Sequence, residues 1–164
     1  VDNYEIFNNI LAAVRAMAGK SGMKTIFPIH PRTRKRASEF GLMDELINID
    51  GLVLIEPVNY LKMLALIKNA KLVLTDSGGL QEESCILGTP CLTLRENTER
   101  PETVDVGANR IAGTDPERII SAFADIMRSG VHKWKNPFGD GRAAKRIIDT
   151  CLNGQPEDEF TGAP

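Results

Sequence analysis

Aromatic residues are scarce in this chain of 164 residues, at 5%, with a single tryptophan. Cysteine is scarce too: Cys85, Cys91 and Cys151 make an odd count without metal-ligand spacing. That excludes a disulfide framework and a zinc site. The three thiols read as small apolar core residues of a reducing compartment, so a cytoplasmic protein is expected. No apolar run approaches the roughly 20 residues of a membrane-spanning helix, and no membrane partner is expected. Neither sign of charge dominates, with 20 basic against 22 acidic residues and a net charge of −2. Three of the acids, Glu157, Asp158 and Glu159, sit in the tail. Nothing suggests a broad basic surface, so nucleic acid is not an expected partner. No cluster of His, Cys and acidic residues has metal-ligand geometry, and the chain has no internal repeat.

What is present is an aliphatic-rich chain of one-domain length, long enough to bury a core. Phe7, Ile10, Leu11, Val14 and Met17 recur at helical spacing and predict a helix over Tyr4–Ala18. Asp2 and Glu5 have the spacing of a capping box. A strand follows at Thr25–Ile29 and a helix at Arg32–Phe40, stopped by Gly41. Short strands are expected at Leu46–Ile49 and Val53–Ile55. Asn59 opens a helix to Asn69, and Lys71–Thr75 reads as a strand covered on both faces. A helix after Gly78 ends at Gly88, and Cys91–Leu94 is a further buried strand. Thr114, Asp115, Pro116 and Glu117 announce a helix start. The last helix is expected from Asp140, with Ala144, Ile147, Ile148 and Cys151 on one side. Residues 153–164 have too little apolar content to fold and are expected to form a disordered acidic tail.

Strands alternating with helices predict an α/β domain: a mainly parallel, Rossmann-like sheet with helices on both faces. Ligands bind such sheets beyond the carboxyl ends of the strands. The stretch LVLTDSGGLQEE, Leu72 to Glu83, supplies that place. An apolar strand runs into Thr-Asp-Ser-Gly-Gly, and a helix starts at once. Two glycines admit close approach of a ligand to backbone, and a helix start offers unpaired N–H groups at its positive end. Ser77, Gly78 and Gly79 are therefore candidates to bind a phosphate or diphosphate. The bland alternative is a plain strand-to-helix turn.

Other polar residues weigh differently. Glu82 and Glu83 complement the helix dipole, yet two carboxylates beside a diphosphate would repel it, so at least one should serve another group. Arg100, flanked by Glu99, Pro101 and Glu102, reads either as a surface ion pair or as a fork for anionic oxygens. Met63 has the spacing of a core residue. His30, Arg32, Arg34 and Arg36 crowd a helix start, where cations are unfavourable; an anionic ligand substituent would explain them. His132, beside Trp134, reads as structural.

Taken in order and spacing, IEPVNY (Ile55–Tyr60), LTDSGGLQEES (Leu74–Ser84), LGTPCL (Leu87–Leu92), TERPETV (Thr98–Val104) and NPFGDG (Asn136–Gly141) resemble the non-hydrolysing UDP-N-acetylglucosamine 2-epimerase family. The resemblance runs to about Ile147. The chain opens with VDNYEIF, which looks like the text just after the family's His-Arg-Glu-Asn type motif. The expectation is the C-terminal half of a two-domain GT-B-type fold, with residues 1–152 forming a UDP-binding domain and the N-terminal domain of the same enzyme as its partner. The segment HPRTRKR (His30–Arg36) looks more like relatives acting on modified UDP-sugars, so the sugar stays open.

The resemblance implies a UDP-2-acetamido sugar as substrate, inverted at C2 by loss of UDP to a glycal-type intermediate and its re-addition. No nicotinamide, metal or other cofactor is implied. It implies that Ser77, Gly78 and Gly79 meet the diphosphate, that Glu83 accepts from the ribose hydroxyls, and that Arg100 contacts the ligand near the phosphates. Met63 matches an aromatic residue of relatives near the uracil. Catalytic carboxylates lie in the other half, so no catalytic residue is assigned here. The family often dimerises, and a homodimer is a possible assembly. Cell-surface polysaccharide biosynthesis is the implied setting. A glycosyltransferase of similar two-domain fold and a stand-alone nucleotide-sugar-binding module are the competing readings.

Overall fold

The helical spacing at the start of the chain does produce a helix, α1, over Tyr4–Ser21. Its cap is Asn3, whose side chain accepts the Ile6 amide at 3.1 Å. The computed structural model describes residues 3–130 and 133–153. Asp2, His132 and residues 154–164 of the tail lie outside the described residues.

Strand β1 (Thr25–Pro28) runs parallel to β2 (Leu52–Ile55), with Ile26 opposite Val53. Between them lie α2 (Pro31–Glu39) and α3 (Met43–Ile47). The segment expected as a strand over Leu46–Ile49 is therefore helical in its first part. Leu46 and Ile49 are both buried, three residues apart, a spacing that suits a helical turn better than a strand. Strands β3 (Val73–Thr75), β4 (Cys91–Thr93) and β5 (Asn109–Ile111) form a second parallel set in the order β3-β4-β5. Helix α4 (Tyr60–Asn69) leads into β3, and α5 (Gly78–Leu87) connects β3 to β4. Each parallel crossover thus carries a helix, as the alternating pattern predicts. The short helix α6 (Pro101–Asp105) and strand β5 were not anticipated. Helix α7 (Pro116–Ser129) starts where Asp115 accepts the Arg118 amide at 2.9 Å.

Helix α1 lies between two apolar cores. Phe7, Leu11 and Ala18 pack with Ile29, Leu42, Leu46 and Ile49, against Phe27, Leu52 and Leu54 of the first strand pair. Ala13 and Met17 pack with Leu92, Ala112, Ile119 and Ala122. Burial of each large aliphatic or aromatic side chain contributes about 1.5–3 kcal/mol. In β4 the alternation is strict: Leu92 joins the α1 and α7 side, while Thr93 bonds Asn109, which in turn bonds Gln81 of α5. Helices therefore cover both faces of this sheet.

The last helix, α8, spans Ala143–Asn153 and buries no residue. It begins three residues after the expected Asp140, which instead accepts the Arg142 amide at 3.0 Å and clasps the Arg146 guanidinium at 2.8 Å. The stripe on α8 is open: Ile147 is 62% and Ile148 56% exposed. Among the described residues no helix is long and apolar enough to cross a membrane.

Candidate nucleotide site

Strand β3 ends at Thr75, and its hydroxyl accepts the Ser77 amide at 3.1 Å. That bond folds the chain sharply into α5. Ser77 takes the cap position with extended backbone, φ −90° and ψ 123°, and its side chain makes no capping bond. The first intrahelical bond runs from the Gln81 amide to the Ser77 carbonyl at 3.2 Å. The Gly78, Gly79 and Leu80 amides lie upstream of it, so the turn keeps the unpaired donors and the positive end that anions favour. Neither Gly78 nor Gly79 has positive φ. What they supply is the lack of a side chain over the helix start.

Arg100 fills part of that space. A methyl built on Gly78 would meet Arg100 Cζ at 3.7 Å and Nη2 at 3.9 Å. Two segments that the sequence separates by more than a strand thus converge at one point. The Arg100 Nε donates to the Glu82 carboxylate, and Nη1 donates to the Glu99 carbonyl at 2.9 Å. Glu82 is thereby the acidic partner of an ion pair with Arg100. Glu83, one residue on, is half-buried, and both burial and the neighbouring Glu82 push its carboxyl above the usual range. Burial, the larger cause, penalises the ionised form.

The loop carrying Arg100 is fastened from beneath by buried polar residues. Asn109 on β5 is the centre. Its Oδ1 accepts from Thr93 at 2.9 Å, and its Nδ2 donates to Gln81 at 3.2 Å and to the Thr103 hydroxyl at 3.1 Å. The Thr103 hydroxyl donates to the Arg100 carbonyl at 2.7 Å. On the other side, Thr98 donates to Gln81 Oε1 and accepts the Arg100 amide at 3.0 Å. Both backbone groups of Arg100 are thus held by threonines that bond the Gln81–Asn109 pair. Gln81, Thr93 and Thr103 are 1%, 0% and 0% exposed, and among the described residues no buried side-chain polar atom lacks a partner. Full satisfaction is what makes such a network rigid.

A second tie holds the stretch after β4. Glu96 accepts the Thr114 amide at 3.2 Å and Arg118 Nη1 at 3.0 Å, and these bonds hold its carboxyl below the usual range. Gly113 makes this possible: it has φ +72°, and a side chain there would collide with the Glu96 carboxylate.

The remaining candidates lie on other elements. Met63 is half-buried on α4, the helix that packs on α5. His30 caps α2 by accepting the Arg32 amide at 3.2 Å. Arg34 pairs with Glu56 at 2.5 Å and Arg36 with Glu39 at 2.7 Å. Partners from the protein itself thus offset the basic crowding at that helix start. Trp134 anchors the segment after α7 by donating to the Cys85 carbonyl at 2.9 Å. Among the described residues no group of His, Cys, Asp and Glu is placed to hold a metal ion. Asn109, Thr93 and Thr103 carried no signal in the sequence.

The family pattern of UDP-N-acetylglucosamine 2-epimerase matches residues 1–152. The chain is 52% identical over 148 residues to the UDP-N-acetylglucosamine 2-epimerase of Methanococcus maripaludis, covering 90% of this chain and 40% of that protein. Its fold superposes with a TM-score of 0.86 on the crystal structure of Methanocaldococcus jannaschii UDP-GlcNAc 2-epimerase in complex with UDP-GlcNAc and UDP, at 50% identity, covering 93% of this chain and 42% of that one. The Neisseria meningitidis UDP-GlcNAc 2-epimerase bound to UDP-GlcNAc gives a TM-score of 0.80 at 33% identity, covering 92% of this chain and 41% of that one. The chain spans 40–42% of the length of these relatives. With its parallel α/β fold, its serine-glycine turn and the arginine laid over it, this chain belongs to the UDP-N-acetylglucosamine 2-epimerase family.

Proposed function

We propose that this chain is the UDP-binding, C-terminal half of an enzyme that inverts C2 of UDP-N-acetylglucosamine or a related UDP-2-acetamido sugar. The observation that carries the reading is the convergence of Arg100 on Gly78 at the open start of α5. A guanidinium and free backbone amides facing one space make a diphosphate site. In this reading the Ser77 hydroxyl, the Gly78 and Gly79 amides and Arg100 hold the diphosphate. Glu83 accepts from the ribose hydroxyls, as acidic residues do in dinucleotide sites, and Met63 touches the uracil.

The role of such a half is to grip UDP while it departs and returns. Donors fixed around the leaving diphosphate stabilise the charge that develops on it. Residues 1–152 form this domain, the tail beyond takes no part, and the acid and base groups come from the other domain. A cytoplasmic place in polysaccharide precursor synthesis suits that reaction, and a homodimer suits the family. Calorimetric titration with UDP and UMP tests the reading. UDP is expected to bind more tightly than UMP, and the chain alone is expected to invert no sugar. Equal binding of the two would remove the second phosphate from the turn, and epimerisation by the chain alone would place catalytic groups within it.

A further inference from the structure

Glu82 is the residue of the site whose presence needs explaining. A carboxylate beside an anion site repels the anion, and Glu83 already supplies one. Yet Glu82 accepts from Arg100 Nε, with both side chains about one-third exposed, at 35% and 34%. The contact uses one edge of the guanidinium. One Nη1 proton goes to the Glu99 carbonyl. An arginine offers five N–H donors in a planar fork, so three remain, one on Nη1 and two on Nη2. The side chain lies along Gly78: from where a Gly78 side chain would begin, Cζ is 3.7 Å away and Cγ and Nη2 are each 3.9 Å away.

We propose that Glu82 is a positioning residue for Arg100: by holding Nε it keeps the guanidinium over the Ser77–Gly79 turn, with its remaining Nη1 and Nη2 protons left for a nucleoside diphosphate bound there. The inference rests on the nucleotide reading above. Its physical basis is preorganisation. A long arginine side chain loses much rotamer freedom on binding, and a fork already fixed at one edge loses less. The buried threonines fix the Arg100 backbone, and Glu82 fixes the side chain. The opposite reading makes Glu82 a competitor that occupies the arginine until the ligand displaces it. The two differ in sign.

The test is NMR titration of the full chain with UDP and with uridine, in wild type, Glu82→Ala, Glu82→Gln, Arg100→Ala and the Glu82→Ala/Arg100→Ala pair. Melting curves confirm that each variant is folded. Glu82→Ala is expected to weaken UDP on the order of tenfold and leave uridine unchanged. Glu82→Gln keeps an oxygen for Nε and is expected to recover most of the loss. In the Arg100→Ala background the Glu82 substitution should have no further effect. Tighter UDP binding in Glu82→Ala overturns the proposal in favour of competition. Equal weakening of UDP and uridine, or a loss that persists without Arg100, also overturns it. A wild-type chain that binds neither ligand overturns the nucleotide reading, and this inference with it.

Discussion

The guanidinium of Arg100 lies over Gly78, close enough that a single methyl on that residue would sit in van der Waals contact with it. The contact is ordinary, and Gly78 has no positive φ. Gly78→Ala is therefore expected to fold, with a gain of up to about 0.5–1 kcal/mol from the lower chain entropy of alanine. If a phosphate sits on this turn as proposed, the same methyl occupies the space of one of its oxygens. UDP affinity is expected to fall at least about tenfold, a loss of roughly 1.4 kcal/mol. Thermal melting together with titration checks both halves, and a variant that binds UDP as well as wild type would remove the phosphate from Gly78.

Glu83 gives a pH signature. Its carboxyl titrates above the usual range, first because of burial and then because of Glu82. If the carboxylate form accepts from the ribose, UDP binding should strengthen as pH rises through this raised value and weaken below it. The stability sign is opposite. A carboxyl raised in the folded chain favours folding when protonated, and that gain is lost as pH rises through the folded value. Glu83→Gln is thus expected to stabilise the unliganded chain at neutral pH while costing UDP about 1.5–3 kcal/mol. It should cost 2′,3′-dideoxy-UDP much less. Melting and titration across the acid range separate the two effects.

Asn109 is expected to be the most sensitive polar residue of the core. Asn109→Leu would leave Gln81, Thr93 and Thr103 without the bonds they now share. Each buried polar group left unpaired costs roughly 1–3 kcal/mol. Chemical denaturation should show a loss larger than that of Thr98→Val, which touches the network at its half-buried rim. Thr98→Ser keeps the hydroxyl and should lie near wild type in both stability and UDP affinity.

Helix α8 should exchange its amide hydrogens well before α7. Helix α7 buries Ile119 and Ala122, and α8 buries nothing. Local opening is easiest where few apolar contacts must break. Thiol labelling gives a parallel readout. Cys151 is exposed on α8, whereas Cys85 and Cys91 are buried, and burial pushes the Cys91 thiol up to about 12. Native chain at pH 8 should label rapidly at Cys151 alone, and denatured chain at all three. Slow labelling at Cys151 would mean that α8 is covered in solution, by its own domain or by another copy.

Most helices and the central strands were legible because their signals are periodic or punctuated. Asn59 and Asp115 cap the helices they were expected to cap, and Gly88 closes α5 as its position implied. Where the structure departs from the local pattern, tertiary contacts override residue preference. Ile47 and Ile49 are β-favouring residues in a run too short to show its period, while Leu46 and Ile49, three apart, are buried and Ile47 is exposed, a pattern that suits a helical turn. Strand β5 is three residues long, with an asparagine and an arginine in it, so local composition argues against a strand and only pairing with β4 creates it. The turn of the candidate site is visible because an apolar strand running into serine and two glycines punctuates the chain, whichever use the turn has. The role of Asn109 was not, since a buried hub is defined by partners 6, 16 and 28 residues away, which spacing along a chain cannot reveal.

The placement of α1 between two cores makes it a shared wall. Phe7 and Leu11 close one compartment, and Ala13 and Met17 close the other. Neither strand group can lose its packing without exposing a side of the same helix. The two sheets are consequently expected to melt together, although among the described residues they share no strand ladder. A cavity opened at Phe7 would raise the frequency with which the whole domain, the Ser77–Gly79 turn included, comes apart.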